Sequence, residues 1–111
     1  MASIRQARVE QLIQQELSMI FQRNAKTHFG GLFITVTVVR ISPDLGSARV
    51  YLSIMDKVDK PVVIREMNGR SKMIRGMLGE SVGKQLRKVP ELHFFLDDSL
   101  DYSQQIDDLL N

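Results

Sequence analysis

Seven of the nine charged residues between Arg65 and Lys88 are basic: Arg65, Arg70, Lys72, Arg75, Lys84, Arg87 and Lys88 stand against Glu66 and Glu80, a local balance of +5. From Glu91 to Asn111 the sign inverts to six acids with no Lys or Arg, a balance of −6. The overall net charge of +2 conceals that polarity. Ammonium and guanidinium groups neutralise phosphates without requiring a particular base, so the chemistry of such a band is positioning on a polyanion such as RNA. The acidic segment would be repelled by the same partner. Arg70, Lys72 and Arg75, together with Lys84, Arg87 and Lys88, are expected to approach phosphates from one helix-rich surface, with Arg40 and Arg49 extending the patch. Tyr51 is placed either to contact a base or to pack on its own strand.

Other residue types that could do chemistry are scattered. Cysteine is absent, which removes disulfides, thiolate nucleophiles and Cys-based zinc sites. His28 and His93 lack metal-ligand spacing and any Ser-His-Asp arrangement. Asp97 and Asp98 have no histidine motif beside them, and Asp98 suits a cap for the turn that follows. Gly76-Met-Leu-Gly79 matches Gly-x-x-Gly in letters, but its two middle residues are apolar and fit a helical core stripe better than a phosphate clamp. Gly79-Glu-Ser-Val-Gly83 lacks the Gly-Lys-Ser/Thr ending that holds phosphates and magnesium. The expectation is a protein that is no enzyme and needs no metal, nucleotide or other cofactor.

The elements that must position the basic band can be read from periodicity. At 111 residues the chain is expected to be one domain, 1–111, with one core. Val9, Leu12, Ile13, Leu17 and Ile20 make an amphipathic stripe from about Ser3 to Arg23, with Ser3 as cap and Arg5, Arg8, Gln11, Gln15 and Gln22 on the polar side. Packing in the domain is preferred to lying on a membrane for this helix. Leu32–Ile41 reads as a strand with Ile34, Val36 and Val38 facing opposite to Thr35 and Thr37, whose far end, Val39-Arg40-Ile41, shifts face through a bulge, since strict alternation would put those hydrophobes beside Thr35 and Thr37. Ser42-Pro-Asp-Leu-Gly46 is a turn. Ala48, Val50, Leu52 and Ile54 alternate with polar residues in the second strand of an antiparallel hairpin. Asp59-Lys-Pro61 opens a helical stretch in which Val63, Met67, Ile74, Met77, Leu78 and Val82 face inward. A break is expected at Asn68-Gly-Arg-Ser-Lys72, because Asn and Gly are poor interior helix residues. Leu92, Phe94 and Leu96 mark the last strand. The order is helix, strand, strand, helix, helix, strand, an α+β domain with a three-stranded sheet and helices on one face. No signal-like start and no apolar run near the roughly 20 residues of a membrane span occurs, so a cytoplasmic protein with no membrane partner is expected.

In this order and spacing the chain resembles the bacterial ribosome-binding factor A family over almost its full length. The fragments that carry the resemblance are Arg8-Val9 with Ile13-Gln-Gln-Glu-Leu17, Ile34-Thr-Val-Thr37, Ser42-Pro-Asp-Leu45, Ala48-Arg-Val-Tyr51 and Val89-Pro-Glu-Leu92. Asp97-Asp-Ser-Leu-Asp-Tyr102 and Ile106-Asp-Asp-Leu109 complete it. The resemblance implies a type II KH-like fold with an interrupted central helix pair at Asn68, Gly69, Arg70, Ser71 and Lys72. Arg70-Ser71-Lys72 stands where the family has an Ala-x-Gly kink in place of a Gly-x-x-Gly loop, with Lys72 at the Gly position, so the bend falls there or is relieved at Gly69.

The resemblance further implies a noncatalytic factor for ribosome biogenesis. It would bind the immature small ribosomal subunit and its 16S ribosomal RNA during late 30S maturation and rRNA processing, with small-subunit proteins as further partners and the free protein monomeric. The competing reading is a protein-interaction adaptor docking through the acidic tail, at about 97–111, whose Leu100, Ile106, Leu109 and Leu110 are interspersed with acids.

Overall fold

A computed structural model describes residues 3–97. The element order is α1 (Ile4–Arg23), α2 (Ala25–His28), β1 (Ile34–Ile41), β2 (Ser47–Ile54), α3 (Lys60–Gly69), α4 (Ser71–Val82) and β3 (Glu91–Leu96). Ser3 starts α1 with a reciprocal capping box: Gln6 N donates to Ser3 Oγ at 3.1 Å and Ser3 N donates to Gln6 Oε1 at 2.9 Å, satisfying amides that the first turn leaves open. Val9, Ile13, Leu17, Ile20 and Phe21 form the buried stripe of α1. After the single turn of α2, Gly30 and Gly31 reverse the chain at φ 63° and 75°, backbone angles that disfavour a Cβ.

The sheet is mixed, in order β1-β2-β3, with β1 antiparallel and β3 parallel to β2. A parallel neighbour needs a long crossover, and α3 and α4 supply it. The expected bulge is present but earlier than the alternation pattern placed it. Val36 pairs with Leu52 and Val38 with Tyr51, leaving Thr37 as the extra residue. That single insertion lets Ile34, Val36, Val39 and Ile41 all face the core. The Thr37 hydroxyl lies 2.5 Å from Asp97 Oδ2 and 3.3 Å from the Tyr51 carbonyl, which fixes the inserted residue between two strands.

The inner sheet face packs under α1, α3 and α4 in one apolar cluster that includes Ile34, Val50, Leu52, Ile74, Leu78 and Phe94. Phe21 meets Phe29 and Phe94 edge-on, with ring centroids 5.1 and 6.2 Å away. Gly76 and Gly79 lie inside α4, where Leu78 is fully buried and Met77 half-buried. The Gly-x-x-Gly letters therefore belong to helix packing.

Side chains cap part of each open edge of this small sheet, which interrupts a template for strand addition. Along β1, residues one helical turn apart on α1 do this. Gln6 Nε2 donates to Ile41 O at 3.2 Å, Glu10 Oε2 accepts from Ile41 N at 2.9 Å, and Gln14 Nε2 reaches Val36 O and Thr37 O at 3.3 Å each. Along β3 the helix junction does it. Asn68 donates to Phe94 O at 2.9 Å and accepts from Phe94 N at 2.8 Å, and Ser71 Oγ donates to Leu92 O at 2.6 Å.

Candidate nucleic-acid interface

The α3–α4 junction is set by local chemistry. Asp59 caps α3 by accepting from Val62 N at 3.3 Å, with Pro61 in the first turn. Helical geometry stops at Gly69 and resumes at Ser71, and Arg70 between them sits at φ −103°, ψ 13°. Arg70 N is shared between Glu66 O and Met67 O, 3.1 Å from each, while Arg70 O accepts from Ile74 N at 3.0 Å. The chain thus passes through one non-helical residue with its backbone groups satisfied.

The basic residues anticipated as one patch fall into three groups. Arg70, Lys72 and Arg75 flank the junction, where a shallow cleft is lined by Ser71, Lys72, Arg75, Glu91, Leu92 and His93 among others. Two of these cations also hold the fold. The Arg70 guanidinium donates to the His28 carbonyl, and Arg75 donates to Val89 O through Nε at 3.0 Å and Nη2 at 2.7 Å. Lys72 is exposed.

Lys84, Arg87 and Lys88 form the second group, exposed on the segment between α4 and β3. Arg87 and Lys88 line a groove with Arg5 and Arg8 of α1, and Asp44 lies among them. Asp44 is held below the usual Asp value of 3.8, first by the Ser42 hydroxyl and then by Gly46 N–H, with Lys88 a lesser influence. It stays ionised and pins its own turn, accepting from Ser42 Oγ at 2.6 Å and Gly46 N at 3.0 Å. The sequence pattern presents Arg5 and Arg8 only as the polar side of a helix. They are three residues apart, on one helix face, but their meeting with Arg87 and Lys88 is a tertiary event.

Arg40 and Arg49 do not extend the helix-side patch. They are directly opposed across β1 and β2 and exposed between buried neighbours, so they project from the sheet face that the helices leave open. Tyr51 lies on the same face, stacked on Phe95.

The other polar candidates stay apart. His28 Nδ1 lies 2.9 Å from its neighbour Thr27 Oγ1, and His93 Nε2 is 3.9 Å from Glu91 Oε1 on the surface. No group of three or more His, Cys, Asp or Glu is arranged to hold a metal among the described residues. Asp97 ties down Thr37. Asp98 and the tail residues Leu100, Ile106, Leu109 and Leu110 lie outside the described residues.

Comparison with known proteins decides the family. The family model described as ribosome-binding factor A matches residues 5–110. The chain belongs to the ribosome-binding factor A family. A ribosome-binding factor A of Cytophaga hutchinsonii is 45% identical over 111 residues, covering 100% of this chain and 84% of that protein. The crystal structure of ribosome-binding factor A from Thermus thermophilus superposes with a TM-score of 0.67 at 21% identity, covering 82% of this chain and 94% of that one. A Thermus thermophilus ribosome-binding factor A model fitted into a cryo-EM map of a 30S complex gives a TM-score of 0.65 at 22% identity, covering 82% and 93%. These two likenesses establish a shared fold.

Proposed function

We propose that this protein is an assembly factor that binds the immature small ribosomal subunit, contacting its 16S ribosomal RNA during late 30S maturation and rRNA processing. The observation that carries this reading is family membership over residues 5–110, and the helix-side cations give it a physical basis. Lys72, Lys84, Arg87 and Lys88 are exposed, and Arg70 and Arg75 have donors beyond those spent on backbone carbonyls, five N–H groups being available on each guanidinium. Arg5 and Arg8 join the same side through the groove with Arg87 and Lys88. The domain, 1–111, is of the type II KH-like kind. Its helix, strand, strand, helix, helix, strand order supports that reading, with the Asn68–Lys72 junction in place of a Gly-x-x-Gly loop. Small-subunit proteins are further partners, the free protein is monomeric, and it works in the cytoplasm.

Cosedimentation tests this. Purified protein should travel with immature small subunits in a chelator and without nucleotide. Strict dependence on metal or nucleotide would overturn the reading. Equal binding to a small-subunit protein after removal of RNA would replace it with docking through the acidic tail.

A further inference from the structure

The open sheet face carries an arrangement that folding does not ask for. In register across all three strands, Arg40 opposes Arg49 and Arg49 opposes His93. Like charges placed directly opposite on a sheet destabilise it. Neither arginine has an ion-pair or hydrogen-bond partner among the described residues. The adjacent row is Val38, Tyr51 and Phe95. The rings of Tyr51 and Phe95 are stacked, with centroids 5.5 Å apart and planes at 30°, and Phe95 remains 42% exposed. Arg49 and Tyr51 are two residues apart on one strand, roughly 7 Å, within the reach of a single nucleotide.

We infer that this face binds an unpaired stretch of RNA, with a base stacked on the Tyr51–Phe95 platform and its phosphate between Arg40 and Arg49. Charge complementarity selects the occupant. An apolar protein surface would use the rings but leave two opposed guanidinium groups desolvated without partners. A base-free polyanion would use the arginines and ignore the rings. An unpaired nucleotide satisfies both, since every base offers a π-face and every linkage an anion. The two arginines and the two rings lie on the sheet face opposite the helices, and His93, which also lines the cleft with Lys72 and Arg75, stands at the edge between the two, so the site goes beyond the subunit-binding reading and is testable apart from it.

The probe is an oligoadenylate decamer, used single-stranded and as a duplex with oligouridylate, with inorganic polyphosphate as the base-free anion. Amide NMR shifts on adding the single strand should centre on Val38 to Arg40, Arg49 to Tyr51 and His93 to Phe95. The double variant Tyr51→Leu/Phe95→Leu should bind the single strand about tenfold more weakly, the loss of a stacked base, while polyphosphate binding is unchanged. Arg40→Gln/Arg49→Gln, at two exposed positions, should weaken both ligands and lower the salt slope by about one to two; it decides the matter if the ring variant fails to fold. Helix-side variants should leave the stacking effect intact. Shifts confined to the helix side, equal losses for polyphosphate and RNA in the ring variant, or unchanged affinity in the arginine variant would overturn the inference. So would a dimer dissolved by Phe95→Leu, which would make the face a contact between copies of this chain.

Discussion

Replacing Asn68 by Ala distinguishes two reasons for that residue, because they predict opposite signs. If Asn68 were there only to weaken the helix, Ala would stabilise α3 by about 0.5 kcal/mol through better helix propensity. The structure gives it another task. Its carboxamide pairs with both Phe94 N and Phe94 O, at 2.8 and 2.9 Å, as an adjacent strand would. Each hydrogen bond is worth about 0.5–1.5 kcal/mol net. Losing two costs about 1–3 kcal/mol, and the propensity gain offsets about 0.5 of that, leaving a net destabilisation of about 0.5–2.5 kcal/mol. Urea unfolding at constant m-value measures it, and the Phe94 amide should lose hydrogen-exchange protection beyond the global change. Asn68→Asp keeps the acceptor for Phe94 N but points a carboxylate at Phe94 O, so it should be no better than Ala at neutral pH. An Ala variant as stable as the parent or more so, with Phe94 still protected, would refute the edge-pairing argument.

Leu78 is fully buried between α4 and the sheet, so Leu78→Ala should cost about 2–5 kcal/mol in the same assay; a cost below about 0.5 would deny that burial. Gly30→Ala and Gly31→Ala meet no atom within 4 Å, so any cost is conformational, about 1–2 kcal/mol each for a left-handed residue, and a neutral result would show that this turn tolerates another path. The Asp44 carboxylate is depressed below 3.8 by its turn. Its contribution is therefore present above the unfolded value and lost as pH falls through the lower folded one. An NMR titration midpoint below 3.8 that rises in Ser42→Ala checks this, and a midpoint at or above 3.8 in the parent would contradict it.

The elements were legible because apolar spacing is a local signal. The Val9–Ile20 stripe, the Ala48–Ile54 alternation and the Ser3 and Asp59 caps each depend on residues within a turn or a strand. A parity change in β1 was also legible, but its position was not. Alternation shows that a residue is extra; only pairing with β2 shows that it is Thr37. Edge protection was invisible for a related reason. Gln6, Glu10, Gln14, Asn68 and Ser71 look like solvent-facing polar residues until the tertiary fold brings a strand's unpaired amides and carbonyls to them. Among the basic residues, the separation of Arg40 and Arg49 from the helix side was available in the pattern, since each alternates with buried neighbours on a sheet covered on one face. The approach of Arg5 and Arg8 to Arg87 and Lys88, some eighty residues away, was not.

The central claim, that the helix side holds small-subunit RNA through its phosphates, is tested most directly by the salt dependence of affinity. Arg70 and Arg75 are poor first targets because they also bond the His28 and Val89 carbonyls. Lys72, Lys84, Arg87 and Lys88 are exposed, so their joint replacement by Gln should preserve the fold. Affinity for immature small subunits is measured from low to high salt for the parent and this variant. The account predicts weaker binding, most clearly at low salt, and a log–log slope reduced in magnitude by very roughly one for each phosphate no longer neutralised. A correctly folded variant with unchanged affinity and unchanged slope would contradict it.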